Sequence, residues 1–138
     1  MIAIIDYGLG NVKAFAQVYY KLNIHAEVVK LPDDLKSAQK IILPGVGAFD
    51  HAMQLLEKSG LRHMLDECAL ERRIPVLGIC VGMQMLAKSS EEGVLPGLGW
   101  IDGRVLKMNP SKLNHKTGLP HMGWNDVKPT IDHELFKG

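Results

Sequence analysis

Apolar positions gather in four short runs rich in Ile and Val, at Met1 to Ile5, Ala26 to Val29, Lys40 to Leu43 and Pro75 to Ile79. Their length and β-branched content predict strands. Between them the apolar spacing changes to i, i+3, i+4. It runs through Phe15, Val18, Tyr19 and Leu22, then Phe49, Ala52, Met53 and Leu56, then Leu61, Met64, Leu65 and Cys68. That spacing is the period of a helix with one buried stripe. Strand alternating with helix predicts right-handed crossovers, hence an α/β fold with a mostly parallel sheet and helices on both faces. Reactive loops of such sheets lie at the carboxyl ends of the strands. Asp6-Tyr7-Gly8, Pro44-Gly45-Val46-Gly47 and Cys80 all fall there.

After Ser89 the texture changes to Gly93, Pro96, Gly97, Gly99, Gly103, Pro110, Gly118 and Pro120, with strand-like pieces at Trp100 to Met108 and Asn125 to Lys128. This portion is expected to be loop-rich and antiparallel. Ile131 to Gly138 has turn character and no closing element, so residues 1–138 read as a single domain that lacks its C-terminal portion. The chain has 138 residues, 46% hydrophobic and 22% charged, which is globular composition on the scale of one domain. No run approaches the roughly eighteen unbroken apolar residues of a membrane span. Met1-Ile2-Ala3-Ile4-Ile5-Asp6 has no basic leader and resembles a first strand, which points to a cytoplasmic setting. With a net charge of +1 and scattered Lys and Arg, nucleic acid is not an expected partner, and small molecules or protein are.

The chemistry concentrates in Pro75-Val76-Leu77-Gly78-Ile79-Cys80-Val81-Gly82-Met83-Gln84. A strand that ends in a nucleophile needs small residues two positions before and after it, because the turn is tight and strained. Gly78 and Gly82 meet that demand, and Cys80 is read as the nucleophile of an acyl-transfer site. A helix starting just after it favours the thiolate, the attacking form. Acyl transfer also needs donors aimed at the developing oxyanion, each worth about 3 to 4 kcal/mol. Backbone N–H groups of Val46, between Gly45 and Gly47, and of Val81 are the candidates. Cys68 lies on an apolar helix face and is read as packing. The two cysteines have no C-x-x-C spacing and no paired histidines nearby, so neither a metal, nor another cofactor, nor a disulfide is expected. Tyr7-Gly8-Leu9-Gly10-Asn11 resembles the start of a dinucleotide fingerprint, but Lys13 stands where the third glycine belongs, and Asn11 reads instead as a helix N-cap. His51 and His63 lie off the apolar helix faces, His25 precedes a strand, and His115 sits in a Lys-rich loop. None makes a convincing base, and His121 and His133 lack a carboxylate that would fix a tautomer.

Leu77 to Gln84, together with Leu43-Pro44-Gly45-Val46-Gly47-Ala48-Phe49, resembles the class I (triad) glutamine amidotransferases. Asp6 to Asn11, Gly93 to Trp100 and His121-Met122-Gly123-Trp124-Asn125 extend the likeness from Met1 to about Phe136. The resemblance implies a flavodoxin-like fold and hydrolysis of glutamine to glutamate and ammonia. It further implies that ammonia passes to a (β/α)₈-barrel synthase subunit of histidine biosynthesis, the two forming a heterodimer. By that carry-over Cys80 is the nucleophile, Gly45, Val46, Gly47 and Val81 form the oxyanion region, and Gln84 and Gly82 meet the substrate. Asn11, Met122, Gly123 and Trp124 are implied at the partner interface. Family members also carry a His-Pro-Glu motif, and this sequence ends before any such motif, so the chain alone is expected to be a poor or inactive glutaminase. Two alternatives stand beside this reading: a fragment that docks on the synthase without chemistry, and a glutaminase that serves a sugar amidotransferase.

Overall fold

The continuous apolar runs become parallel strands, and the two central ones are buried on both faces, as strands under helices are. In the computed structural model, which describes residues 1–109, 111 and 123–136, β1 (Ile2–Ile5), β2 (Ala26–Val29), β3 (Lys40–Gly45) and β4 (Val76–Cys80) pair in parallel in the order β2-β1-β3-β4. The register aligns Ile2 with Ala26 on one side and Lys40 on the other, and Ile41 with Val76 through Gly45 with Cys80. Ala3, Ile5, Val29, Ile41 and Leu43 enter the main core, while Ile4 and Ile42 are buried without joining it.

Three helices cover the core face. α2 (Phe49–Ser59) buries Phe49, Ala52, Met53 and Leu56 at the expected spacing and ends on Gly60, whose φ of 75° suits the residue without a Cβ. α3 (Arg62–Asp66) buries Leu65, and α4 (Val81–Met85) buries Val81, Gly82 and Met85. The other face carries α1 (Val12–Lys21), which packs on β1 and β2 yet contains no buried residue. Its apolar stripe is less covered than the periodicity suggests: Val18 is 53% exposed, and on the sheet Val28 and Leu77 stand open too.

Leu61 to Cys68, which reads as one helix, is α-helical only to Asp66. A π-helical turn then spans Glu67–Glu71, closed by the Arg72 N–H on the Glu67 carbonyl at 3.0 Å. Apolar spacing does not register the change, since Leu61, Leu65 and Cys68 all stay buried. The wider turn delivers Arg72 to the 3₁₀ turn Pro32–Ser37. There its guanidinium donates to the carbonyls of Leu35 (3.3 Å), Lys36 (2.9 Å) and Ala38 (3.4 Å) and to the Cys68 Sγ (3.4 Å). Burial pushes the Cys68 thiol above its ordinary range, against the pull of the Arg72 charge.

Two expectations for the later chain are corrected. β5 (Ser89–Ser90) and β6 (Arg104–Val105) pair in parallel, not antiparallel. The intervening loop folds back along residues 85–88, with Gly97 N–H on Lys88 O and Leu98 N–H on Met85 O, so the chain re-enters in its original direction. Trp100 stays out of β6 because its indole N–H donates to Asp66 Oδ1 at 2.7 Å. Residues 125–128 form no strand and are exposed.

The described residues fall into two compact units, Met1–Lys107 and Met108–Gly138. The second has a 3₁₀ turn at Glu134–Phe136, where the His133 and Phe136 rings meet edge-on at 6.4 Å.

Arg72→Ala is expected to lower stability by about 2 to 3 kcal/mol, because hydrogen bonds to a charged group are lost and carbonyls are left without a donor. Urea unfolding monitored by circular dichroism measures this, and Arg72→Lys, with a single ammonium, is expected to fall in between.

Candidate functional site

The register places Gly45, the last residue of β3, opposite Cys80, the last of β4. α4 begins at once, with Cys80 as its N-cap at φ 56°, ψ −122°. A side-chain-bearing residue at such φ stores roughly 1 to 3 kcal/mol of strain, which surrounding packing must hold. The packing is backbone against backbone. A Cβ on Gly82 would overlap the Leu43 carbonyl oxygen, one on Gly45 would overlap the backbone of Val81 and Gly82, and one on Gly78 would lie 2.7 Å from Met83 N. Gly78 and Gly82 are therefore required by contact, and Gly45 joins them.

Cys80 itself is exposed, and among the described residues its Sγ has no hydrogen-bond partner. The N–H of Val81 opens α4 while its side chain is buried. Val46 lies exposed in the loop after β3, followed by Gly47 at φ 85°. α4 has five residues, so its dipole is short and the field at Cys80 comes mainly from the first free N–H groups. Gln84 is half-buried, and its buried Oε1 meets no donor among the described residues. An orphaned buried acceptor of this kind is uncommon and marks a place for an outside donor.

The loop after β1 supports this arrangement. Asn11 caps α1 as expected, its Oδ1 accepting from the Ala14 N–H at 3.1 Å. Gly10, at φ 88°, lies so close to Pro44 that a Cβ would stand 2.9 Å from the ring. The Tyr7 hydroxyl is buried and donates to the Pro44 carbonyl at 2.8 Å, with Met85 Sδ at 3.5 Å. Burial pushes its pKa up to about 12. Asp50, in the first turn of α2, accepts from the N–H of Val94 and Leu95 at 3.0 Å and fixes the loop after β5. Sequence reading missed the roles of Tyr7 and Asp50. Tyr7 read as a turn residue, and an acidic residue in a first helical turn normally signals only a dipole complement.

The histidines of the first unit are elsewhere. His51 and His63 are exposed on α2 and α3, and His25 pairs with Glu27 at 2.8 Å on the edge strand β2. Among the described residues no group of three His, Cys, Asp or Glu side chains could hold a metal ion, and no helix is long and apolar enough to cross a membrane. His115, His121 and Met122 lie outside the described residues. Gly123, exposed Trp124 and His133 belong to the second unit.

Known proteins match this chain along its length. The family model for glutamine amidotransferase class-I matches residues 3–138. Imidazole glycerol phosphate synthase subunit HisH of Bdellovibrio bacteriovorus is 57% identical over 138 residues, covering 100% of this chain and 68% of the relative. The protein of the same name from Leptospira interrogans is 51% identical over 136 residues, covering 99% of this chain and 67% of the relative. The chain thus spans about two thirds of the length of these relatives. A solved structure described as a glutamine amidotransferase shares the fold, with a TM-score of 0.63 at 20% identity, over 84% of this chain and 60% of that one.

Gly82→Ala is expected to cost about 3 kcal/mol or more, because the Leu43 carbonyl is strand backbone and has no room to retreat. Gly47→Ala, whose Cβ would meet nothing within 4 Å, is expected to cost only about 1 kcal/mol for its positive φ. Urea midpoints of the two variants test the difference. For Tyr7 the folded-state pKa lies above the unfolded value of about 10, so its contribution is complete below pH 10 and is lost as pH rises towards 12. The loss is about 2 to 3 kcal/mol, and Tyr7→Phe is expected to flatten that part of the alkaline stability profile.

Proposed function

The chain belongs to the class-I glutamine amidotransferase family, and on that premise we propose that it is the glutaminase part of an imidazole glycerol phosphate synthase, with Cys80 as its nucleophile. The observation that carries this reading is the exposed Cys80 held at positive φ opposite Gly45, at the start of α4 and across from the end of β3.

The Cys80 thiolate attacks the side-chain amide carbon of glutamine, forming a C–S bond while the carbonyl π electrons move to oxygen. N–H groups of Val46 and Val81 receive that oxyanion, with Gly45 and Gly47 giving the loop its shape. The intermediate collapses with cleavage of the C–N bond, and nitrogen departs as ammonia after gaining a proton. Water then attacks the thioester carbon, releasing glutamate and regenerating the thiol. Gly82 and Gln84 border the substrate, and the orphaned Gln84 Oε1 is suited to accept from the ammonium group of glutamine.

The partner in this reading is a cytoplasmic (β/α)₈-barrel synthase subunit, which consumes ammonia in histidine biosynthesis, with Asn11, Met122, Gly123 and Trp124 towards it. The family match spans both compact units, which supports one amidotransferase domain over residues 1–138. These 138 residues contain no His-Pro-Glu sequence, and on this reading they reach the thiol adduct alone but turn over poorly. The same observation supports the second reading, a module that docks without chemistry.

A glutamine-derived chloroketone is expected to alkylate Cys80 in the wild-type chain and nothing in Cys80→Ser, with buried Cys68 untouched, as read by peptide mass spectrometry. Glutamate release by the isolated chain is expected at or near background, since acid–base catalysis typically contributes about 10²- to 10⁴-fold. A soluble, folded chain whose Cys80 is not alkylated contradicts the glutaminase reading. If that chain still co-purifies with a barrel subunit, the docking reading stands alone.

A further inference from the structure

We propose that Tyr7 is a positioning residue for the loop 44–47, its hydroxyl holding the Pro44 carbonyl so that the N–H of Val46 faces Cys80. This rests on the reading of Val46 as an oxyanion donor. The need for such a hold follows from Pro44. β1 and β3 pair as far as Ile4 with Ile42. The next step of a parallel ladder would send an N–H of residue 44 to the carbonyl of Ile5, and proline has none. Pairing with β1 stops there, and the Pro44 carbonyl on that side has no ladder partner.

That carbonyl is buried with its residue, so it must find a donor or rotate towards one. The Tyr7 hydroxyl supplies the donor at 2.8 Å. Pro44 C=O and Gly45 N–H share one rigid peptide plane. The sheet register turns the Gly45 N–H towards β4, so the plane is held at one edge by β4 and at the other by Tyr7. Gly45 is further pinned against the backbone of Val81 and Gly82, and Gly10 packs against the Pro44 ring. What remains free to aim the Val46 N–H is little more than the ψ of Gly45 and the φ of Val46. The same hydroxyl meets Met85 Sδ at 3.5 Å, on the helix whose first N–H is the other donor. One buried side chain thus touches both segments that supply donors.

Tyr7→Phe removes only the hydroxyl and keeps the ring. Two measurements on the full 138-residue chain test the proposal. Amide hydrogen exchange by NMR is expected to quicken at Gly45, Val46 and Gly47 while Ile4 and Ile41 keep wild-type rates. In parallel, alkylation of Cys80 is followed with a glutamine-derived chloroketone, whose ketone adds the thiolate through an oxyanion before chloride leaves, and with iodoacetamide, whose iodide is displaced directly. The maximal chloroketone rate is expected to fall by roughly tenfold, short of the 10²- to 10³-fold seen on deleting a donor outright. Half-saturation by chloroketone and the iodoacetamide rate are expected to stay at wild-type values. A merely structural role would slow both reagents together or neither. Wild-type exchange at 45–47 together with a wild-type ratio of the two rates overturns the proposal. If the wild-type chain is alkylated by iodoacetamide and not by the chloroketone, the glutaminase reading fails. Exchange at 45–47 alone then decides whether Tyr7 holds the loop.

Discussion

The close approach of α4 to the end of β3 is the contact on which the rest depends. Gly82 lies directly on the Leu43 carbonyl, and Gly45 lies on the peptide joining Val81 to Gly82. Backbone meets backbone there because both partners lack a Cβ, and the chain can then reverse from β4 into α4 within one residue. Cys80 is that residue, and its positive φ follows from the reversal. The strain is local, while the burial that opposes it is spread over Phe49, Leu56, Leu65 and Met85 and their neighbours on the core face. A distributed apolar core holding one strained residue is the usual arrangement where a reactive group must be presented rigidly.

Rigidity at this site comes from long-range hydrogen bonds made by side chains, not from length of secondary structure. α4 has five residues and β5 and β6 have two each, so none would persist alone. They are fastened by Tyr7 to Pro44, by Asp50 to Val94 and Leu95, and by Trp100 to Asp66. Each fastening joins an irregular segment to a more regular element. Surface ion pairs such as Lys36 with Asp33 and Lys88 with Asp102 add little, since solvent screens exposed pairs.

Much of this was legible in the residues. The four strands and α2 announce themselves through continuous or strictly periodic apolar positions, and the elbow through its paired glycines. The capping role of Asn11 follows from its place before a helical stripe, and the Asn11 Oδ1 bond to Ala14 agrees with it. Where periodicity carries no signal, reading failed. The π turn at Glu67–Glu71 keeps the same faces buried as an α-helix would, and the parallel pairing of β5 with β6 depends on how an irregular loop folds back. Tyr7 and Asp50 act on backbone groups 37 to 45 residues away, and backbone groups look alike in every sequence.

The central claim is that the strained bend at Cys80 and the loop after β3 form one anion-stabilising site. A crystal structure of the chain carrying a glutamine-derived chloroketone adduct on Cys80 tests it most directly. The account expects the ketone oxygen of the adduct within about 3 Å of both Val46 N and Val81 N, the distance at which those N–H groups donate to it. An adduct oxygen turned to solvent, with neither nitrogen in reach, would contradict it.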